Sequence, residues 1–147
     1  MAKPFRFNLE RILDIRIQFE ERARMELGKA IAACQRQERE VHRLVNELAA
    51  REASMAQKKN PTAGDFWLWQ AYRRRLEGDI AAARVRLEEL VAVRERCRET
   101  AVARSRERKL LDKLKTNKAT RHAIAENIAE QKENDEQASV RYRPPAF

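Results

Sequence analysis

The residue types that most often do chemistry are few in this chain and stand far apart. His42 and His122 are 80 positions apart, and Cys34 and Cys97 have the spacing of neither a metal clamp nor a redox pair. Acid–base work could fall to the carboxylate pairs Glu20 with Glu21 and Glu88 with Glu89. Both pairs, however, lie among arginines at helical spacing, the pattern of an exposed ion-paired face. No glycine-rich phosphate loop, nucleophile elbow or Cys-x-x-Cys occurs. The expectation is therefore no enzyme, no metal and no cofactor, with the cysteines as reduced thiols filling a seam.

Cationic chemistry is better represented. Net charge is +9, from 13 basic and 10 acidic residues over 1–70, 16 and 8 over 71–121, and 3 and 5 over 122–147. Arg73 to Arg75 and the run Arg104 to Lys109 could bridge phosphates. Glu77 and Asp79 follow the first cluster and Glu107 interrupts the second, no basic helix continues into a parallel zipper, and no aromatic strand platform exists to stack bases, so no nucleic-acid partner is expected.

The elements that carry these residues follow from what is missing. Only 43% of the chain is apolar and 6% aromatic, against 37% charged, too little apolar matter for a compact core but enough for a narrow seam. Phe5 to Lys58 contains no proline and one glycine, Gly28; Phe66 to Gln137 contains no proline and one glycine, Gly78. Asn60, Pro61 and Gly64 lie between them. Proline costs about 3 kcal/mol inside a helix and glycine about 1, so two unusually long helices are allowed, about 80 and 108 Å at 1.5 Å per residue. The prediction is an all-α, long antiparallel two-helix coiled-coil hairpin forming a single unit over residues 1–147. Its parts are a helix at about 5–58, a turn at about 59–65, a helix at about 66–138 and a tail at 139–147 ended by Pro144 and Pro145. No apolar run exceeds about five residues, and the N-terminus lacks the apolar core of a secretory signal, so no membrane span and a cytoplasmic location are expected.

Steps of four and three trace a seam through Ala23, Leu27, Ala30, Cys34, Gln37, Val41, Leu44, Leu48, Arg51 and Met55. Upstream, Leu9, Ile12, Arg16 and Phe19 follow the same spacing but reach Ala23 through a stutter, which would locally unwind the supercoil. The second helix has its own stripe at Trp69, Arg73, Leu76, Ile80, Ala83, Leu87, Leu90, Arg94, Cys97 and Ala101. Folding at Thr62, so that paired numbers sum to 124, sets Met55 against Trp69, Leu48 against Leu76, Leu44 against Ile80, Cys34 against Leu90 and Leu27 against Cys97. A dimer of extended helices is the rival arrangement. Gln37, Arg51 with Arg73, and Arg94 make polar layers that disfavour slipped registers and can carry their charges outward. Past Arg104 and Arg108 the stripe resumes at Leu111, Leu114, Ile124 and Ile128, and beyond about residue 120 the second helix overhangs the first.

Apolar residues exceed what a two-helix seam can bury in two places. One is the turn, where Phe66, Trp67, Leu68 and Trp69 cannot all face one seam and Tyr72 follows. The other is the open end, with Phe5, Phe7, Ile15, Ile17, Ile124 and Ile128.

The run FRFNLERILDIRIQFEERARMELGKA, with Phe5, Phe7, Leu9, Ile12, Leu13, Arg16, Glu20 and Leu27 on its characteristic places, resembles the opening of the FliJ family of flagellar type III export proteins. The run LLDKLKTNKATRHAIAENIAEQKENDEQASVRY is similar to that family's closing segment at Leu111, Leu114, Glu130, Gln131, Lys132, Asp135, Glu136 and Ala138. The resemblance covers nearly the whole chain. It implies a component of the flagellar export apparatus that resembles the central stalk of rotary ATP synthases, sits in the pore of a hexameric export ATPase and promotes its assembly and activity. It also implies contact with the cytoplasmic ring of the membrane export gate, hence peripheral association with the inner membrane at the flagellar base, and the handling of export chaperones. Hydrolysis would belong to the ATPase. The open end, with Phe5, Phe7, Leu9, Leu13, Arg16, Gln131 and Glu136, is the expected ATPase contact. Carried over by position, the gate patch falls on Leu44, Glu47, Tyr72 and Leu76, although Glu47 and Arg51 stand where relatives can show aromatics. A virulence-type injectisome stalk would share the hairpin and the ATPase partner, whereas a generic coiled-coil adaptor would share only the heptads.

Overall fold

A computed structural model describes residues 3–146, and among them there are two helices, α1 (Glu10–Ala56) and α2 (Ala63–Arg141), and no strand. The chain reverses once between them and the helices pack antiparallel, the all-α hairpin expected from the heptads.

The turn shows why the reversal falls where it does. Gln57 and Lys58 donate backbone N–H groups to the carbonyls of Ala53 and Met55 and close α1. Asn60 takes a left-handed conformation, φ 51°, which asparagine tolerates better than most residues. Thr62 then caps α2: its hydroxyl accepts from the Asp65 N–H at 3.1 Å while the Asp65 carboxylate accepts from the Thr62 N–H at 3.1 Å. Lys58 adds an ion pair to Asp65 at 3.0 Å. Because this reciprocal cap supplies the first turn, α2 begins at Ala63 rather than near 66. The Thr62 backbone N–H, then Lys58, hold the Asp65 carboxyl below its ordinary 3.8.

The outer ends also depart from expectation. α1 starts at Glu10 instead of near 5, with its first backbone bonds from Glu10 to Phe7 and from Leu13 to Leu9. Residues 5–7 lie against α2 instead: Phe7 is buried with the Lys118 ammonium 5.9 Å from its ring, and the Phe5 ring is 5.7 Å from that of His122. Covering an aromatic side chain is worth about 1.5–3 kcal/mol, more than one further turn of a fraying helix end would return. α2 continues to Arg141, past the expected 138, before Pro144 and Pro145. Of the expected tail, Phe147 lies outside the described residues, as do Met1 and Ala2 of the N-terminus.

The contacts divide into two compact units. One is Glu21–Val102; the other joins the residues up to Glu20 with those from Ala103 onward. In the Glu21–Val102 unit, Leu44, Leu76, Ile80 and Ala83 form a buried cluster with Val41, Val45, Leu48 and Tyr72 packed around it. Leu44 with Ile80 and Leu48 with Leu76, set opposite one another by the 124 register, thus share one cluster. Cys34 is buried and Cys97 half-buried, both as free thiols. Two of the polar layers are satisfied: Gln37 donates its amide to the Ala83 carbonyl at 2.9 Å, and Arg73 reaches outward to Glu52 and Glu77. At the third, Arg94 reaches Glu95 at 3.5 Å but leaves its buried Nε without a partner.

The unit holding both chain ends corrects the upstream register. Ile12 and Phe19, assigned to the seam, are 44% and 37% exposed, whereas Leu13 and Glu20 are 3% and 4% exposed. The stripe runs through Leu9, Leu13, Arg16 and Glu20, spacing that leads into Ala23 with no stutter. Apolar matching misses this because a charged residue occupies a seam position: the Glu20 carboxylate accepts from Arg108, which also donates to Asp112. On α2 the same correction applies. Leu114, Ile124 and Ile128 are exposed, and the half-buried side is Arg104, Arg108, Leu111 and Lys115, continued by Lys118 and His122 against residues 5–8. Arg16 pairs with Glu107 at 2.7 Å, Lys115 with Glu10 at 2.8 Å, and Lys118 donates to Asn8 at 3.3 Å. This unit is closed mainly by charge, the other mainly by apolar side chains. From residue 127 to 146 every residue is exposed, the overhang the register predicted.

Candidate partner-binding site

Among the described residues the two histidines fall in different units. His42 is exposed in one unit, whereas His122 in the other stacks near Phe5 with Nε2 3.7 Å from Glu126. Among the described residues no cluster of three metal-ligating side chains occurs, and no helix is long and apolar enough to cross a membrane. What the fold does build is surface for partners.

In the Glu21–Val102 unit, Leu44, Glu47, Tyr72 and Leu76 converge on one small cleft of about 200 Å³, which Arg43, Arg75 and Asp79 complete. Leu44 and Leu76 form its buried floor. The Tyr72 hydroxyl donates to Glu47 Oε1 at 2.7 Å, and Arg43 reaches the other oxygen of Glu47 at 3.3 Å. The bond to the Glu47 carboxylate, followed by partial burial, raises the Tyr72 phenol above its usual 10. The Arg51 guanidinium lies over the Tyr72 ring at 5.8 Å. Glu47 is thus an orienting acceptor that holds the Tyr72 ring beside the cleft. The i,i+4 spacing of Arg43 and Glu47 was a legible sign of that arrangement; the reach from Glu47 to Tyr72 was not.

The second surface lies on the unit that holds both ends. Of its seven assigned residues, Phe7 and Leu13 are buried, Phe5, Leu9 and Arg16 are half-buried, and Gln131 and Glu136 are exposed on the overhanging part of α2, away from the others. Phe5, Phe7 and Arg16 each meet α2, at His122, Lys118 and Glu107, whereas Gln131 and Glu136 lie on the fully exposed stretch from 127 onward. Apolar groups that face outward on this unit include Ile12, Ile15 and Phe19 on α1 and Leu110, Leu114, Ile124 and Ile128 on α2. Ile12 and Phe19, like Leu114, flank their seams at the position that antiparallel pairing puts on one side, the side where Arg104 covers the Phe19 ring at 5.2 Å and Arg16 meets Glu107. Sequence reasoning placed Ile12 and Phe19 inward and so missed this face.

No curated protein and no solved structure matches the chain. The protein-family model described as flagellar FliJ protein matches residues 5–146, from the first phenylalanine tucked against α2 to the segment beyond its C-terminal end. That match covers nearly the whole chain, whose two-helix hairpin agrees with it, and this chain belongs to the FliJ family of flagellar proteins.

Proposed function

We propose that this chain acts as a stalk component of the flagellar export apparatus, a cytoplasmic protein held at the inner membrane through its partners. The observation that carries the reading is the family match over residues 5–146 of a 147-residue chain. In this reading the unit with both chain ends engages the export ATPase ring and promotes its assembly and turnover. Phe7 and Leu13 act there by holding the N-terminal segment on α2, and Ile12, Ile15, Phe19, Leu110 and Leu114 supply apolar contact area, with Gln131 and Glu136 as a separate contact on the overhang. Each fully covered aliphatic or aromatic side chain is worth about 1.5–3 kcal/mol, so a few of them account for a specific docking contact.

The cleft of Leu44, Glu47, Tyr72 and Leu76 is the contact for the cytoplasmic ring of the export gate, with the half-buried Tyr72 and Glu47 as the recognition groups. The two leucines support it from below. Release or capture of export chaperones belongs to the same reading. A hairpin whose helices keep their backbone hydrogen bonds internal can link such partners without its own chemistry.

Mixing the purified chain with its export ATPase and following ring formation together with ATP turnover tests the stalk role; both should rise. No effect on either leaves a coiled-coil adaptor as the reading. Separately, Tyr72→Ala should weaken binding to the cytoplasmic domain of the export gate while helicity by circular dichroism stays unchanged. Unaltered gate affinity would remove the cleft from the site.

A further inference from the structure

At the turn, Phe66, Trp67 and Leu68 are 55%, 70% and 62% exposed, although they are consecutive residues in the first turns of α2. Consecutive helical residues point about 100° apart, so these three fan over roughly 200° of the helix. A groove on a protein or a second helix covers one stripe and would leave part of such a fan in water. The environment that can cover all of it at once is one that surrounds the end of a hairpin, as the interfacial layer of a bilayer does. Tryptophan and phenylalanine are the residues that layer favours.

The charge around the turn fits the same environment. Residues 51–75 carry six cations, Arg51, Lys58, Lys59, Arg73, Arg74 and Arg75, against two acids, Glu52 and Asp65. Both acids are already neutralised within the hairpin, Asp65 by Lys58 at 3.0 Å and Glu52 by Arg73 at 3.3 Å. Lys59, Arg74 and Arg75 form no ion pair within the unit. Beneath Leu68 and Trp69 lies a shallow cleft of about 390 Å³ with Arg51 and Lys58 on its rim, an apolar wall beside cations. Paired acids, unpaired cations and a fan of apolar side chains together attract an anionic surface and repel a cationic one.

We propose that the turn of this hairpin docks on anionic phospholipid, with Phe66, Trp67 and Leu68 in the headgroup and upper acyl region and Lys59, Arg74 and Arg75 facing the lipid phosphates. This site borders the cleft of Leu44, Glu47, Tyr72 and Leu76 through Arg75, but its apolar residues lie outside that cleft and it does not depend on the stalk reading. No part of it spans the bilayer; the docking is interfacial.

The test is flotation of the full chain with vesicles of phosphatidylglycerol and with vesicles of phosphatidylcholine, alongside tryptophan emission in a Trp69→Phe background that reports Trp67 alone. Expected are binding to phosphatidylglycerol that falls with added salt, little binding to phosphatidylcholine, a blue shift of Trp67 and quenching of it by bromine-labelled acyl chains. Trp67→Ser should weaken vesicle binding about tenfold or more, as should Phe66→Ser, because each side chain would otherwise leave water on docking. Lys59→Glu combined with Arg74→Glu should abolish the preference for phosphatidylglycerol. Binding that survives in the Phe66→Ser, Trp67→Ser double variant overturns the proposal, as does unmoved and unquenched Trp67 emission with saturating vesicles. So does a result in which Trp67→Ser abolishes binding to a protein of the export gate while vesicle binding is absent, since the fan would then serve a protein pocket.

Discussion

Truncating Leu76 to alanine tests the register on which every assignment in the Glu21–Val102 unit rests. Leu76 is 5% exposed in the cluster with Leu44, Ile80 and Ala83. Leucine-to-alanine changes in cores cost about 2–5 kcal/mol, of which one part is lost transfer energy and the rest depends on how far the site collapses. This cluster is one layer thick, and Val41, Val45, Leu48 and Tyr72 around it are only half-buried and free to relax into the gap. The low end, about 2–3 kcal/mol, is therefore expected, equivalent to a roughly 30- to 150-fold rise in local opening. Amide hydrogen exchange reads this directly, with the loss of protection centred on residues 41–48 and 76–83. The paired control is Leu110→Ala, also a leucine on α2 but 69% exposed, which should change protection by less than about 0.5 kcal/mol. Equal effects from the two substitutions would show that Leu76 is not in the seam and that helix pairing about Thr62 is wrong.

Three further outcomes follow from particular contacts. Leu13→Ala should lower amide protection of residues 103–120 by about 2 kcal/mol while Ile12→Ser changes it little, because Leu13 is 3% and Ile12 44% exposed; the reverse ranking would restore the stutter. The depressed carboxyl of Asp65 means its cap is fully present above its ordinary 3.8 and is lost as pH falls below that value. Acid should therefore loosen the first turn of α2 in the parent, and Asp65→Ala should show that loosening already at neutral pH with no further change on acidification, both read by exchange of the Asp65 and Phe66 amides. Gly28→Ala and Gly78→Ala should each raise the urea midpoint, by about 0.5–1 kcal/mol of stability. A methyl group at either site meets nothing within 4 Å, neither glycine has positive φ, and glycine is the poorer helix former; destabilisation would mean those faces are covered.

Much of the site was legible because the seam of the Glu21–Val102 unit is apolar. Leu44, Leu48, Leu76 and Ile80 announce themselves at steps of three and four, and a heptad stripe has only one side to bury. Leu44, Glu47, Tyr72 and Leu76 were chosen by position from the family resemblance, and the structure lines one cleft with all four. The aromatic fan at Phe66 to Leu68 was equally visible, since consecutive apolar residues on a helix cannot share one face. The unit with both chain ends was not legible in the same way. There, Ile12 and Phe19 outrank Leu13 and Glu20 on any apolar count, yet the latter pair are inside.

The reason is that a pattern of hydrophobicity weighs each residue alone, whereas burial of a charge depends on a partner distant in sequence. Helix content, the single reversal, the heptad phase from Ala23 to Ala101 and the family signature were all determined by local propensity and periodicity, with no knowledge of contacts. Only tertiary structure decided that Arg108 meets Glu20 across 88 positions, that Phe5 and Phe7 leave the helix to lie on His122 and Lys118, and that Glu47 holds the hydroxyl of Tyr72. Each of these is a pairwise energy between sequence-distant groups, and such energies exist only once the chain has folded back.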